Sequence, residues 1–290
     1  MELMMHTLTR SQTVVAWDGS EPARAALAWS LARAAGGDFT LVRVLDRTVS
    51  TADYFTEEST TVRAREVLKD DADRVSAQYP TLTVHADLRS GDPITELRAL
   101  SAPDTLVVVG THRRRGSTLR YEWSMGARLA GSANGPIAII PESDDTHHTG
   151  IVVGVDGSAA SNAAVDFAAA EADRTGQELH AIHAWQEPLV WRDTTEPDGR
   201  FLQTLETSHR HVLDQSLLAI SRRYPALDIR ASLVRGAPQS ALLDAARGAA
   251  LLVVGDHGLT AVSKVLLGSV SHSIVLNLQS PMVVIPAPSD

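Results

Sequence analysis

Leu251-Leu252-Val253-Val254-Gly255-Asp256-His257-Gly258, followed by nine residues and then Gly268-Ser269, is the stretch on which the reading of the fold turns. Its first four residues form a short, continuous apolar run ending in two β-branched side chains, the composition of a buried strand. A glycine directly after the run lets the chain turn where a Cβ would clash, and lets backbone lie close to a ligand. A second glycine follows three residues later, and Gly268-Ser269 then opens an apolar helical stretch. Unhindered N–H groups and a hydroxyl at a helix N-terminus make an anion site, and phosphate is its usual occupant. The spacing is neither the Gly-x-Gly-x-x-Gly dinucleotide fingerprint nor a P-loop, which needs Gly-Lys-Ser/Thr. The alternative, that these glycines only serve turns, is the less favoured reading of the run taken alone.

Outward from this stretch, the chain is written twice. Asp18-Gly19-Ser20 recurs as Asp156-Gly157-Ser158, each after a β-like run, Thr13-Val14-Val15-Ala16 and Ile151-Val152-Val153-Gly154. Tyr79 to Pro93 matches Tyr224 to Pro238 at seven of fifteen positions. Leu106–Gly110 matches Leu251–Gly255, and Ile139-Ile140-Pro141 matches Val284-Ile285-Pro286, all at a constant offset of 145 residues. So long a period means duplicated domains, since solenoid repeats run about 20–50 residues. The polar, turn-rich segment Glu142–Thr149 suits a linker, which places the domains at 1–145 and 146–290. Each is long enough to bury its own core.

Short apolar runs alternate with helical patterns in each copy. In the second, strands are predicted at about 151–155, 179–184, 228–233, 251–254 and 282–285. Helices are predicted near 161–174, 202–222, 239–247 and 269–277. Such alternation calls for an α/β fold, a parallel sheet with helices on both faces. Ligands of open sheets of this kind sit beyond the carboxyl ends of the strands, where strand order reverses. Asp156 falls just past the first strand and the glycine motif just past the fourth, so both converge on one crevice if those strands are neighbours.

Apolar residues make up 44% of the chain, and no apolar run is long enough to span a membrane. The first residues lack a basic region followed by an apolar core, so no secretory signal is expected. The chain has no cysteine, which excludes disulfides, thiol catalysis and Cys-type zinc sites. These features are compatible with a cytoplasmic location. The net charge of −9 is spread over both halves, so neither reads as a surface for nucleic acid. Arg113-Arg114-Arg115 is the local exception, read as a solvated loop.

The motif Gly-x2-Gly-x9-Gly-Ser/Thr, met in full by Gly255, Gly258, Gly268 and Ser269, resembles that of the universal stress protein family. Asp156-Gly157-Ser158 and the closing Pro281-Met282-Val283-Val284-Ile285-Pro286 resemble the same family, in its tandem-domain form. The resemblance implies two doubly wound α/β domains, each a five-stranded parallel sheet in the order 3-2-1-4-5, often paired into dimers through the last strand. It also implies ATP in the crevice of the motif-bearing half. Carried over residue by residue, Asp156 sits beside adenine and ribose, and Gly154 and Val155 line the adenine pocket. Ala184 stands where the family usually has a valine, leaving room beside the base. Gly255, His257, Gly258, Gly268, Ser269, Val270 and Ser271 surround ribose and triphosphate. For His257, ribose contact and loop packing stand equal. Asp256 is placed to help hold Mg²⁺, which would take most of its ligands from phosphate and water.

The first half departs from this pattern. In gap-free alignment Arg113 replaces Gly258, Trp123 replaces Gly268, and Ser124 alone preserves the Gly-Ser. Tryptophan adds bulk where phosphate should approach backbone, so this half is expected to bind ATP weakly or not at all. Any weaker site there would use Asp18, Val44, Gly110 and Ser124. An alternative alignment through Gly116 and Gly126 needs compensating gaps and ends in Gly-Ala.

The histidines do not read as a metal site. His147-His148 lacks helical spacing, His180 and His183 point to opposite faces of a strand, and His209 and His211 do not face each other on a helix. No Gly-x-Ser-x-Gly elbow marks a hydrolase. Lys264 reads as solvated surface more readily than as a phosphate ligand, and Trp17 and Trp185 as packing more readily than as base-stacking groups. No catalytic residue is assigned. The sequence therefore reads as an ATP-binding regulator of the stress response with a protein partner. Two alternatives stand beside it: a slow Mg-dependent ATPase or phosphotransferase, and a scaffold that needs no nucleotide.

Overall fold

The computed structural model describes residues 12–46, 54–112, 125–142, 148–187, 199–256 and 267–288. The chain divides into two compact units, Met1–Ser143 and Asp144–Asp290. In the first, strands β1 (Gln12–Ala16), β2 (Gly37–Leu45), β3 (Leu82–Ser90), β4 (Thr105–Thr111) and β5 (Ile137–Pro141) alternate with helices. These helices are α1 (Glu21–Arg33), α2 (Tyr54–Gln78), α3 (Pro93–Ala99) and α4 (Met125–Ala130). Strand β1 pairs in parallel with β2 on one side and β4 on the other, β2 with β3, and β4 with β5.

The second unit repeats this plan. Its strands are β6 (Ile151–Gly154), β7 (Leu179–Trp185), β8 (Ile229–Arg235), β9 (Leu251–Asp256) and β10 (Met282–Pro286). Its helices are α5 (Ala159–Thr175), α6 (Gly199–Arg223), α7 (Pro238–Ala246) and α8 (Ser269–Leu276). Strand β6 lies in parallel between β7 and β9, β7 pairs with β8, and β9 with β10. Strand order thus reverses between β6 and β9, and between β1 and β4 in the first unit.

The central strands carry continuous apolar runs because helices cover both faces. Val107, Val108 and Val109 of β4 and Val253 of β9 are fully buried, as are Val283 and Leu252. Burial of each such side chain contributes about 1.5–3 kcal/mol.

Local chemistry sets where the first helix of each unit starts. Asp18 accepts the N–H of Ser20 at 2.9 Å, and Asp156 accepts that of Ser158 at 2.9 Å. Gly19 and Gly157 between them adopt φ of +79° and +83°, a left-handed conformation that glycine takes without steric cost. Ser20 and Ser158 then cap α1 and α5, accepting from Ala23 and Ser161. Asp-Gly-Ser is therefore a turn-and-cap device in both units, independent of any ligand.

Candidate functional site

In the second unit a crevice of about 180 Å³ opens at the carboxyl ends of β6 and β9. Gly154, Val155 and Asp156 enter it from the end of β6, and Ala184 from the end of β7. Gly255 and Asp256 close β9 beneath it, and Gly268, Ser269, Val270 and Ser271 bring the start of α8 to its rim. Every expected residue of the second unit that is described thus lines a single cavity. His257 and Gly258 lie outside the described residues, as does Lys264. Sequence reasoning missed Pro238 and Leu242 of α7, which form part of the wall. Pro238 ends the repeated Tyr224–Pro238 segment, but nothing local ties that segment to the crevice.

Three features define the chemistry. Helix α8 has Gly268 at its N-cap and no side-chain cap, unlike α5, which Ser158 caps. The first-turn N–H groups of an α-helix have no partner inside the helix, so those of α8 face the crevice with the positive end of the helix dipole behind them. Asp256 is buried, and its Oδ1 accepts the Gly268 N–H at 2.8 Å, which ties the end of β9 to the start of α8. Val155 is buried, and its N–H donates to the Ile182 carbonyl at 2.8 Å, extending the β6–β7 pairing into the crevice.

Gly255 has a packing role beside its place in the crevice lining. A Cβ there would lie 2.5 Å from the Ala160 carbonyl carbon and 2.6 Å from the Ser161 nitrogen. The space is taken by the first turn of α5, so this glycine serves helix–strand packing. Gly110 is in the same position, with its Cβ site 2.1 Å from the Pro22 oxygen.

The corresponding crevice of the first unit measures about 170 Å³ and includes Asp18, Val44 and Gly110. Ser124, with Trp123 and the Arg113–Arg115 run, lies outside the described residues. Trp17 occupies the place of Val155, and its N–H donates to the Val42 carbonyl as that of Val155 does to Ile182. The Trp17 indole Nε1–H donates to Asp71 Oδ2 on α2 at 2.7 Å, which fixes the ring at the crevice wall. Thr111 replaces Asp256, and Met125 replaces Val270. The polar anchoring of the second crevice is thus replaced by bulk.

Trp185 is buried and stacks on His209, ring centroids 4.9 Å apart at 18°. His183 on β7 and His209 on α6 face each other, Nε2 to Nδ1 at 2.8 Å, a pairing that spacing within a single element does not display. Among the described residues no cluster of three or more His, Cys, Asp or Glu is placed to hold a metal.

An open parallel sheet with helices between its strands and a crevice where strand order reverses defines a doubly wound α/β domain. Here the chain has two. The universal stress protein family profile matches residues 10–141 and again 149–286, and the chain belongs to that family. A universal stress protein of Mycobacterium tuberculosis is 30% identical over 222 residues, covering 71% of this chain and 67% of that protein. One of Mycolicibacterium smegmatis is 32% identical over 210 residues, covering 70% and 69%. A universal stress protein structure from Archaeoglobus fulgidus shares the fold over 96% of this chain and 98% of its own, with TM-score 0.70 and 19% identity. No described helix is long and apolar enough to cross a membrane.

Proposed function

We propose that the second domain binds ATP in the β6–β9 crevice and that the protein is a nucleotide-dependent regulator in the stress response. One observation carries this reading: the uncapped N-terminus of α8 meets the ends of β6, β7 and β9 in a single cavity. The start of α8 supplies N–H groups and the hydroxyls of Ser269 and Ser271 for phosphate. Val155 and Ala184 supply an apolar wall for the base, and Asp156, exposed at the rim, an acceptor for ribose. His257 and Gly258 belong to the same proposal. Mg²⁺ would enter with the phosphates, since Asp256 already holds Gly268 and no metal cluster stands ready among the described residues. The chain works as a homo-oligomer, a dimer, in the cytoplasm, and a protein partner reads nucleotide occupancy.

A ligand can signal in this way only if it binds one conformation better than another. Binding without turnover is favoured over ATP hydrolysis, because among the described residues no basic side chain lines the crevice to neutralise transition-state charge. Mass spectrometry of the purified, undialysed protein tests the reading. Stoichiometric intact ATP is expected; protein free of any adenine compound, and unable to take up added ATP, leaves only the scaffold.

A further inference from the structure

Strand β2 outlasts its neighbour β1, and the difference leaves one peptide edge facing the first crevice. In a strand the N–H and C=O of one residue point to the same side, and those of the next residue to the other. The Val42 carbonyl accepts the Trp17 N–H at 2.7 Å, on the β1 side. The Leu45 carbonyl accepts the Gly91 N–H at 3.0 Å, on the β3 side. The N–H and C=O of Val44 therefore point to the β1 side, past Ala16, the last residue of β1 in register with β2. Val44 lines the crevice, and neither of these groups has a partner among the described residues. A main-chain donor and acceptor thus stand side by side, free for a ligand.

The rest of the lining is apolar or already engaged. Pro22, Val42, Leu97 and Met125 line the crevice together with the Trp17 ring. The Trp17 Nε1–H is held by Asp71, and the Ser20 hydroxyl caps α1. Helix α3, whose Pro93 and Leu97 form one wall, is capped by Asp92, which accepts the Thr95 N–H at 2.9 Å. Its counterpart α7 in the second unit has no side-chain cap. Asp18 adds a carboxylate to the lining, and no basic side chain lines it among the described residues. These walls give a phosphate no donor and oppose its charge. The space of about 170 Å³ exceeds the roughly 150 Å³ of an apolar cavity that holds a benzene ring.

We propose that the first crevice binds an uncharged planar heterocycle without phosphate, read at its edge by the main chain of Val44. A ring acceptor of the ligand takes the Val44 N–H, and a neighbouring amino group donates to the Val44 carbonyl. Adenosine belongs to this class; ATP does not. The same alternation recurs in the second unit, where the Ile182 carbonyl accepts from Val155 and the Trp185 carbonyl from Gly236, so the peptide edge of Ala184 faces the second crevice. Both crevices therefore keep this edge, and only the second adds an uncapped helix start for phosphate. The inference stands on the first crevice alone and does not rest on the ATP reading of the second.

The test offers the full chain adenosine and ATP together, at equal saturating concentrations, in equilibrium dialysis. The wild type should carry one of each. Wild type that takes up no adenosine overturns the proposal; wild type that takes up adenosine but no ATP overturns the reading of the second crevice and leaves this one standing. Tryptophan at Ala184 or Val44 fills one crevice from the end of its strand and assigns the sites. Folded Ala184→Trp, checked by circular dichroism, should bind adenosine about tenfold more tightly than ATP, and adding Val44→Trp should abolish adenosine binding. Equal affinity for the two ligands in Ala184→Trp, or adenosine still bound by the folded double variant, overturns the proposal.

Discussion

Asp18 and Asp156 make the same hydrogen bond, to a serine N–H two residues on, at the same 2.9 Å. A functional reading of Asp156 must therefore be separated from its structural duty. The two units supply the control. Removing either carboxylate should cost the turn about 1 kcal/mol, the net worth of one such bond. Only Asp156→Ala should also weaken ATP, by about tenfold, because only that crevice keeps its polar anchoring. Thermal melting and calorimetry of Asp18→Ala and Asp156→Ala check both halves of the argument. Equal stability losses with no change in affinity for either would reduce Asp156 to a turn residue.

At the scale of elements, the contact between the first helix and the fourth strand of each unit governs the glycine that ends the strand's apolar run. Gly110 persists where Arg113 and Trp123 have replaced the later motif glycines, and helix–strand packing explains its persistence. Gly110→Ala and Gly255→Ala should each destabilise their unit by about 2–3 kcal/mol, because the methyl group would meet backbone that has little room to yield. Urea denaturation measures this; a loss below about 0.5 kcal/mol in both would refute the packing account. Elements of this kind were legible from the sequence. The helix expected near 239–247 is Pro238–Ala246, and the strand expected at 251–254 runs to Asp256. Such elements follow from local apolar runs and periodicity, which one chain displays directly. The glycine's partner in α5 could not be read, because the clash lies about 95 residues away in sequence and depends on helix approach. The pairing of His183 with His209 is not legible for the same reason: strand and helix spacing each describe one element, and the pair spans two. The α7 wall of the crevice, likewise, comes from packing between elements.

At the scale of the molecule, duplication followed by divergence decides how many ligands one chain holds. The 145-residue offset is visible in the sequence because both copies obey the same packing constraints, while the crevice has diverged: Trp17 for Val155, Thr111 for Asp256, Trp123 for Gly268. The first of these is decisive on geometry, since the Trp17 ring is fixed to Asp71 and lines the first crevice. Calorimetry of the full chain should therefore count one ATP per chain at high affinity. Gly268→Trp, which copies the first unit into the second, should remove that site and leave the circular dichroism spectrum unchanged. The tryptophan would displace Asp256 from the Gly268 N–H, since even a Cβ there lies 3.0 Å from its Oδ1, and would cover the first turn of α8. Two sites of equal affinity in the wild type, or one site surviving Gly268→Trp, would mean that the bulk in the first crevice does not govern occupancy and that ATP is held elsewhere than at the start of α8.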